Sequence, residues 1–261
     1  MLAIDHRHSF KKILNPKNPQ AVGDEQIVKT KEEIISSLSG LMSGLLLDVN
    51  WGLPAYKKAK ANTPFLLAIE RSGYQEKDGG RLTSLEYSVD QLKKLGASGI
   101  KLLIYFNPFS PTAAAQIKTA REVFLDCRVK KLPFFLEIVT YHTDRSIEKT
   151  TNLVTESIKR FLSESIRADV FKIEYPGNEK ACEEVNNLLR ARPWILLTRG
   201  ENFEVFKHQL RSAVNHGCRG FLAGRALWKE LGQLQADERK IFLETTVKER
   251  FREISEIALR I

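Results

Sequence analysis

Residues 99–106 read Gly-Ile-Lys-Leu-Leu-Ile-Tyr-Phe, and residues 133–139 read Pro-Phe-Phe-Leu-Glu-Ile-Val. Both runs are almost entirely apolar, and both are too short for a helix of ordinary length. Continuous rather than alternating apolar character is typical of parallel strands that are covered on both faces. Each run nevertheless contains one charged residue, Lys101 in the first and Glu137 in the second. These stretches therefore predict a parallel sheet that carries charge inside it.

Six further apolar runs are spread along the chain, and longer amphipathic stretches of helical period lie between the runs. The eight predicted strands are Leu2–Asp5, Gly44–Asp48, Phe65–Glu70, Gly99–Phe106, Pro133–Val139, Asp169–Glu174, Pro193–Thr198 and Gly220–Gly224. The predicted helices are Thr30–Ser39, Leu85–Leu95, Thr112–Lys130, Ser146–Ser165, Glu179–Arg190, Phe203–His216 and Ala236–Ile261.

Alternating strands and helices indicate a parallel sheet, and eight repeats in about 250 residues match the size of a (β/α)8 barrel. The main alternative is an open doubly wound sheet. A dinucleotide-binding version of that sheet is disfavoured because no Gly-x-Gly-x-x-Gly follows the first strand. We therefore predict one α/β domain of the TIM-barrel type over residues 1–261.

The composition excludes wholesale disorder, because 43% of the 261 residues are hydrophobic and 28% are charged. Lys plus Arg number 41 against 32 for Asp plus Glu, which gives a net charge of +9. Such a surplus attracts anions without identifying them. The charge is dispersed and no RNA-recognition or helix-turn-helix signature is present, so we expect no nucleic-acid partner.

The three cysteines, Cys127, Cys182 and Cys218, are widely spaced and form no Cys-x-x-Cys pair. This spacing indicates reduced thiols rather than a zinc ribbon or a disulfide framework. No apolar run approaches the roughly 20 residues that span a bilayer, and the N-terminal residues lack the apolar stretch of a signal peptide. We therefore expect a cytoplasmic protein without a membrane partner.

Charged side chains within or at the ends of buried strands need an explanation, because isolated buried charge is costly. Asp5 ends the first run, and Lys101, Glu137 and Lys172 lie inside three consecutive runs. A lysine near another cation has a lowered pKa, and its neutral amine can attack a carbonyl carbon. A carboxylate beside it can transfer protons. The pattern indicates class I aldolase chemistry, which needs no cofactor beyond the lysine.

A metal-dependent aldolase would require clustered metal ligands, and the five histidines do not supply an obvious set. His6 and His8 have the spacing of residues on one strand face, but no third ligand stands out. We expect both to be loop residues beside the site, and we expect no metal. The other histidines are His142, His208 and His216.

Two strand ends near the C-terminus have the features of an anion site. The seventh run leads into Thr198-Arg199-Gly200, and the eighth leads into Gly224-Arg225. Loops after the last two strands of a barrel often bind phosphate through backbone amides. The glycines permit close approach of the backbone, and Arg225, with Arg199 as a second candidate, could add charge-assisted hydrogen bonds.

Five segments together resemble the tagatose-1,6-bisphosphate aldolase family, which also includes the bacterial sulfofructose-phosphate aldolases. The resemblance covers nearly the whole chain and implies a (β/α)8 barrel. The segments that carry it are Leu46–Ala55, Gly96–Phe106, Pro133–Tyr141, Asp169–Glu174 and Gly224–Ala226.

The resemblance also implies roles for particular residues. Lys172 would be the Schiff-base lysine, Lys101 the second active-site lysine and Glu137 the proton-transferring carboxylate. Asp5 would hold a substrate hydroxyl near the cleaved bond. The residues implied to surround the phosphate next to the ketone are Thr198, Gly200, Gly224 and Arg225.

The sequence departs from the family pattern at the first strand, which ends Asp5-His6-Arg7-His8 where the tagatose enzymes tend to have Asp-Gln-Arg-Gly. The chain is also shorter, notably between the sixth and seventh strands. Residues 71–81 would meet the far end of the substrate, where Arg71, Lys77 or Arg81 could bind a distal anion. The resemblance therefore indicates the class of reaction more firmly than it indicates the substrate.

The resulting hypothesis is a class I aldolase that cleaves or forms a carbon–carbon bond in a phosphorylated ketose, releasing dihydroxyacetone phosphate and an aldehyde. It is most like a tagatose-1,6-bisphosphate aldolase, and a sulfofructose-1-phosphate aldolase is the first alternative. A transaldolase or deoxyribose-phosphate-type Schiff-base enzyme is the second, and a non-catalytic barrel that binds a partner is the third. Barrel enzymes of this kind often associate, so a homo-oligomer stays open.

Overall fold

The computed structural model describes residues 1–141 and 147–259 and contains eight parallel strands in one sheet. Two short strands, β4 (Gln75–Lys77) and β5 (Gly80–Leu82), form a separate antiparallel hairpin. The sheet strands are β1 (Leu2–Ala3), β2 (Leu45–Leu47), β3 (Phe65–Ala68), β6 (Gly99–Phe106), β7 (Phe134–Thr140), β8 (Val170–Ile173), β9 (Trp194–Leu197) and β10 (Phe221–Leu222).

The strands follow one another around the sheet in chain order, and the first pairs with the last. Leu2 bridges Ala223 in parallel fashion, and the Ala3 N–H donates to Ala223 O at 2.7 Å. These contacts close the sheet into a barrel. The predicted fold is confirmed, and every predicted run overlaps one of the eight strands.

Helices surround the barrel, and three short ones, His8–Leu14, Gly52–Lys58 and Arg225–Trp228, are additional to the predicted helices. Their bounds are α1 (His8–Leu14), α2 (Asp24–Ser37), α3 (Gly52–Lys58), α4 (Val89–Lys94), α5 (Ala113–Lys130), α6 (Ile147–Ser163), α7 (Glu179–Leu189), α8 (Phe203–Asn215), α9 (Arg225–Trp228), α10 (Ala236–Phe242) and α11 (Lys248–Leu259). A π-helical turn, Leu243–Val247, joins α10 to α11.

Two helix starts differ from the sequence prediction for local reasons. Helix α4 is shorter than predicted because Ser88 and Gln91 form a capping box that starts the helix at Val89. Helix α2 begins at Asp24, where acidic residues in the first turn suit the helix dipole. The predicted start of α6, Ser146, lies outside the described residues. Gly217 ends the α8 segment with a φ of 96°, as expected of a C′ glycine.

The interior of the barrel is apolar at its N-terminal end and charged above it. Side chains that point inward there form a small cluster of their own, separate from the large core between the strands and the helices. The strand register places the charged residues above this cluster: Glu137 of β7 lies opposite Leu103 of β6 and Lys172 of β8. The inner cluster consists of Ala3, Leu46, Leu66, Ala68, Ile195 and Leu222. It closes the barrel below the charged residues and leaves the C-terminal end open.

The cysteines are three buried free thiols, and burial raises the pKa of each to about 12. They are therefore unreactive near neutral pH. Within the described ranges, helices both long and apolar enough to cross a bilayer are absent.

Candidate active site

A cavity of about 310 Å³ opens at the C-terminal end of the barrel. Its wall includes charged side chains from within β6, β7 and β8 and from the loops that follow β1, β3, β9 and β10. This is the end at which barrel enzymes carry their functional groups. The structure places nine of the ten predicted site residues in the wall: Asp5, Arg71, Lys101, Glu137, Lys172, Thr198, Arg199, Gly224 and Arg225.

Lys101 is the centre of a buried cluster of opposite charges. Its Nζ lies 2.7 Å from Asp5 Oδ2, 2.6 Å from Glu70 Oε1 and 3.2 Å from Glu137 Oε2. Burial of Lys101 opposes its charge, but the three carboxylates outweigh burial and raise the pKa of Lys101 well above its usual value. Lys101 therefore stays an ammonium ion throughout the neutral range.

Lys172 has a different environment, although it lies in the same cavity. Its Nζ is 2.8 Å from Glu137 Oε1, and its side chain is buried. Glu137 thus stands between the two lysines. Its Oε2 accepts no hydrogen bond from the described residues, although Lys101 is close. A carboxylate in this position can exchange a proton with Lys172 while Lys101 holds its charge in place.

Asp5 follows the end of β1 and remains ionised. Burial acts to raise the pKa of the Asp5 carboxyl, but Lys101, His6 and Lys172 together hold that pKa far below its usual value. An ionised carboxylate accepts hydrogen bonds only, so Asp5 can hold a ligand hydroxyl.

Glu70 is a member of the cluster that the sequence analysis did not single out. Besides its pairing with Lys101, its Oε2 accepts the Leu103 N–H at 3.1 Å. Burial raises the pKa of Glu70, and Lys101 opposes that rise. The signal was available, because Glu70 ends an apolar run in the same way as Asp5. A carboxylate at the end of the third strand could therefore have been grouped with those on neighbouring strands.

The histidines contribute one residue to the cavity. His6 lines it and packs edge-on against Trp228 with ring centroids 5.2 Å apart. Burial lowers the pKa of His6 to about 3, so the imidazole is neutral. His8, expected in a loop beside the site, is instead the first residue of α1 and exposed. His142 lies outside the described residues, and among the described ones no three His, Cys, Asp or Glu side chains are grouped to hold a metal.

The predicted anion site lies on the β9–β10 side of the cavity. Gly200 is the one predicted residue outside the cavity wall, and its φ of 83° is in the left-handed region. A Cβ at Gly200 would lie 3.1 Å from Arg225 Cζ, and one at Gly224 would lie 2.9 Å from Ala3 O. The two glycines therefore make room for the guanidinium and for the neighbouring strand. The Arg225 Nε is buried and has no hydrogen-bond partner among the described residues.

Arg199 and Arg71 differ from Arg225 in their surroundings. Arg199 pairs with the buried carboxylate of Glu174 and donates to Thr140 O at 3.1 Å. The charge of Arg199 is therefore balanced by Glu174 at the edge of the cavity. Arg71 lines the cavity and is exposed.

Arg81, at the mouth of the cavity, is enclosed by tyrosine rings. Its Cζ lies 4.3 Å from the centroid of Tyr74, 4.5 Å from that of Tyr141 and 5.6 Å from that of Tyr105. Gln116 fixes the strand by donating to Arg81 O at 3.0 Å. Cation–π contacts of this kind hold a guanidinium without neutralising its charge. Lys77, the third cation suggested for the far end of a substrate, is exposed and not in the cavity wall.

Comparisons with known proteins identify the family of this chain. A family model described as DeoC/LacD family aldolase matches residues 1–230. The tagatose 1,6-diphosphate aldolase 2 of Enterococcus faecalis is 31% identical, over 98% of this chain and 88% of its own. The tagatose 1,6-diphosphate aldolase of Listeria monocytogenes serotype 4a is 30% identical, over 95% of this chain and 83% of its own.

Solved structures with the same fold include a Schiff-base-forming fructose-1,6-bisphosphate aldolase. It superposes with a TM-score of 0.68 at 19% identity and covers 98% of this chain and 92% of its own. An archaeal fructose-1,6-bisphosphate aldolase, with its catalytic lysine bound to a carbinolamine intermediate, gives a TM-score of 0.67 at 17% identity, with the same coverage. These likenesses establish the barrel fold. The family model matches residues 1–230, and the two tagatose 1,6-diphosphate aldolases are 30–31% identical to this chain. The chain therefore belongs to the DeoC/LacD family of aldolases.

Proposed function

We propose that this aldolase is a class I enzyme that forms a Schiff base at Lys172 and cleaves a ketose carrying an anionic group at each end. The products are dihydroxyacetone phosphate and an aldehyde, and tagatose 1,6-bisphosphate is the first substrate to test. The observation that carries the proposal is the 2.8 Å contact between Lys172 Nζ and Glu137 Oε1, inside a cavity at the C-terminal end of the barrel.

Two lysines compete for the role of nucleophile, and their surroundings separate them. The three carboxylates around Lys101 keep it charged, and an ammonium has no lone pair with which to attack. Lys172 has one carboxylate partner, and that partner can accept its proton. We therefore assign the nucleophile to Lys172 and an electrostatic role to Lys101.

In the first step, Glu137 takes a proton from Lys172, and the amine nitrogen attacks the ketone carbon. Glu137 returns this proton to the carbonyl oxygen, which becomes a hydroxyl. Glu137 then takes a second proton from the nitrogen and passes it to the hydroxyl, which leaves as water. The remaining iminium carries a positive charge next to the carbon–carbon bond that must break. Lys101 offsets the negative charge of the neighbouring carboxylates during these transfers.

In the second step, a carboxylate removes the proton of the hydroxyl on the β carbon, and the bond between the α and β carbons breaks. The bonding electrons move into the iminium to give an enamine, and the aldehyde departs. Asp5 is suited to orient that hydroxyl because it is ionised and lies beside Lys101 in the same cavity. Protonation of the enamine and hydrolysis of the imine then release the ketone product and free Lys172.

Two guanidinium groups support the proposal of a substrate that is anionic at both ends. Arg225 follows β10, whereas Arg81 lies against tyrosines from the ends of β6 and β7. In an eight-stranded barrel, β6 and β10 are four strands apart and therefore stand on opposite sides. Lys172, on β8, lies between them. A phosphate next to the ketone would meet Arg225, and the distal anion would meet Arg81.

The substrate class is tested by measuring release of dihydroxyacetone phosphate from three ketose 1-phosphates. They are tagatose 1,6-bisphosphate, sulfofructose 1-phosphate and a ketose with a neutral far end. Arg81→Met should lower kcat/KM about tenfold or more for the doubly anionic ketoses and leave the third nearly unchanged. Lys77→Met is the matched control, since Lys77 is exposed on the same hairpin. Lack of product from every ketose phosphate would reject the proposed function.

A further inference from the structure

Lys31 and Asp48 form a buried ion pair outside the catalytic cavity, with exposed side-chain fractions of 0% and 1%. Lys31 lies on α2 and reaches towards the loop that follows β1. Its Nζ donates to Ile4 O at 2.8 Å, to His6 O at 2.9 Å and to Asp48 Oδ2. An ammonium has three N–H groups, so these acceptors use all of them.

Asp48 is fixed in turn by the backbone that begins α3. Its Oδ1 accepts the Trp51 N–H at 2.8 Å, and its Oδ2 accepts the Gly52 N–H at 3.0 Å. A Cβ at Gly52 would lie 2.9 Å from Asp48 Oδ2 and 3.2 Å from Leu47 Cβ. The conformation that satisfies the carboxylate therefore leaves little room for a side chain at Gly52, which lies in the Leu46–Ala55 segment that carries the family resemblance.

The two carbonyls held by Lys31 belong to the residues on either side of Asp5. Sheet pairing reaches Ile4, whose N–H donates to Leu46 O at 2.8 Å, and Asp5 follows it. Asp5 Oδ2 then lies 2.7 Å from Lys101 Nζ. A connected series of contacts thus runs from the start of α3 through Asp48 and Lys31 to the peptide groups that carry Asp5.

We propose that the Lys31–Asp48 pair is a positioning device that fixes Asp5 for carbon–carbon bond cleavage. The proposal rests on the proposed function, in which Asp5 orients the hydroxyl of the ketose. A buried ion pair contributes little net stability compared with apolar residues of similar size, so stability alone gives weak reason for a pair here. Positioning gives a stronger one, since an error of about 1 Å in a catalytic group can cost about 100-fold in rate.

The test is the double variant Lys31→Met with Asp48→Asn, which removes both charges together and keeps an acceptor for the start of α3. We expect kcat for ketose cleavage to fall about 100-fold with little change in KM. Borohydride trapping of dihydroxyacetone phosphate at Lys172 should stay at the wild-type level, because that step does not use Asp5. The matched control is Lys130→Met with Asp90→Asn, an exposed pair 2.6 Å apart, which should keep the wild-type kcat.

A positioning role is separated from a merely structural one by combining the double variant with Asp5→Asn. If the pair acts through Asp5, its removal in the Asp5→Asn background should lower kcat by less than about threefold. An equal loss of kcat in both backgrounds, or unchanged kcat in the double variant, would overturn the proposal. Absence of the adduct in the wild-type protein would instead reject the proposed function.

If circular dichroism shows that the double variant does not fold, Gly52→Ala can be compared with the wild type and with the Asp5→Asn background instead. It disturbs Asp48 through the close Cβ contact while both charges remain. We expect kcat to fall several-fold with the adduct at Lys172 unchanged, and the fall to disappear in the Asp5→Asn background. A fall that persists there would count against the pair as a positioning device.

Discussion

Replacement of Lys101 by methionine removes the cation at the centre of the active-site cluster. Oxygens of Asp5, Glu70 and Glu137 lie within 3.2 Å of its Nζ, and Lys101→Met leaves all three carboxylates buried without it. Removal of one partner from a buried ion pair costs about 3–5 kcal/mol, because the other charge stays uncompensated. We expect the free energy of unfolding of Lys101→Met to fall by at least about 4 kcal/mol at neutral pH.

The stability lost in Lys101→Met should become smaller as the pH falls. In the wild-type protein the pKa of Asp5 lies below its usual value of about 3.9, so its contribution is lost only as the pH falls through the lower, folded value. The pKa of Lys101 is raised, so its contribution is lost only as the pH rises through the higher, folded value. Both are intact between about pH 5 and pH 8. In Lys101→Met, Asp5 and Glu70 repel each other without the cation between them, so their pKa values rise, and protonation reduces the loss as the pH falls.

The assay is urea unfolding followed by circular dichroism, for the wild type and for Lys101→Met, at several pH values between about 5 and 8. Lys130→Met is the control, because its exposed pair with Asp90 is solvated and should leave the unfolding midpoint nearly unchanged. A Lys101→Met loss below about 1 kcal/mol, or one that does not change with pH, would refute the charge balance described for the cluster.

Three other changes test separate parts of the site. Glu137→Gln should lower kcat by about 100-fold to 10,000-fold with little change in KM, and steady-state rates that stay near wild type would remove Glu137 from proton transfer. Gly200→Ala should raise KM for ketose phosphates about tenfold, because its Cβ would crowd the Arg225 guanidinium 3.1 Å away and because alanine disfavours a φ of 83°. Prolonged treatment with EDTA should leave turnover unchanged, whereas a loss restored by a divalent cation would argue for a metal-dependent reaction instead.

Most of the catalytic residues were predicted from the sequence because they are charged residues inside apolar runs. Lys101, Glu137 and Lys172 lie on neighbouring strands, so the barrel topology alone places them near one another. Glu70 had the same signal and was missed because a glutamate that ends a run also fits an ordinary turn. The eight strands of the barrel were predictable because they are largely buried on both faces.

Other features depend on contacts between distant segments, which no local pattern reports. Lys31 falls among polar residues of a helix and would be assigned to the solvated face, yet it is completely buried. The hairpin that carries Arg81 is polar and lacks the apolar run of a strand. The rings around Arg81 come from three separate parts of the chain. Only the folded barrel brings these residues together.

Reductive trapping shows directly whether Lys172 is the Schiff-base nucleophile. The protein is incubated with dihydroxyacetone phosphate and borohydride, digested, and the modified peptide is located by mass spectrometry. Lys172→Ala should fold like the wild type and should lose both the adduct and turnover. We expect a single reduced adduct, on Lys172, in the wild type. An adduct on Lys101 instead, or ketose cleavage that persists in Lys172→Ala, would contradict this expectation.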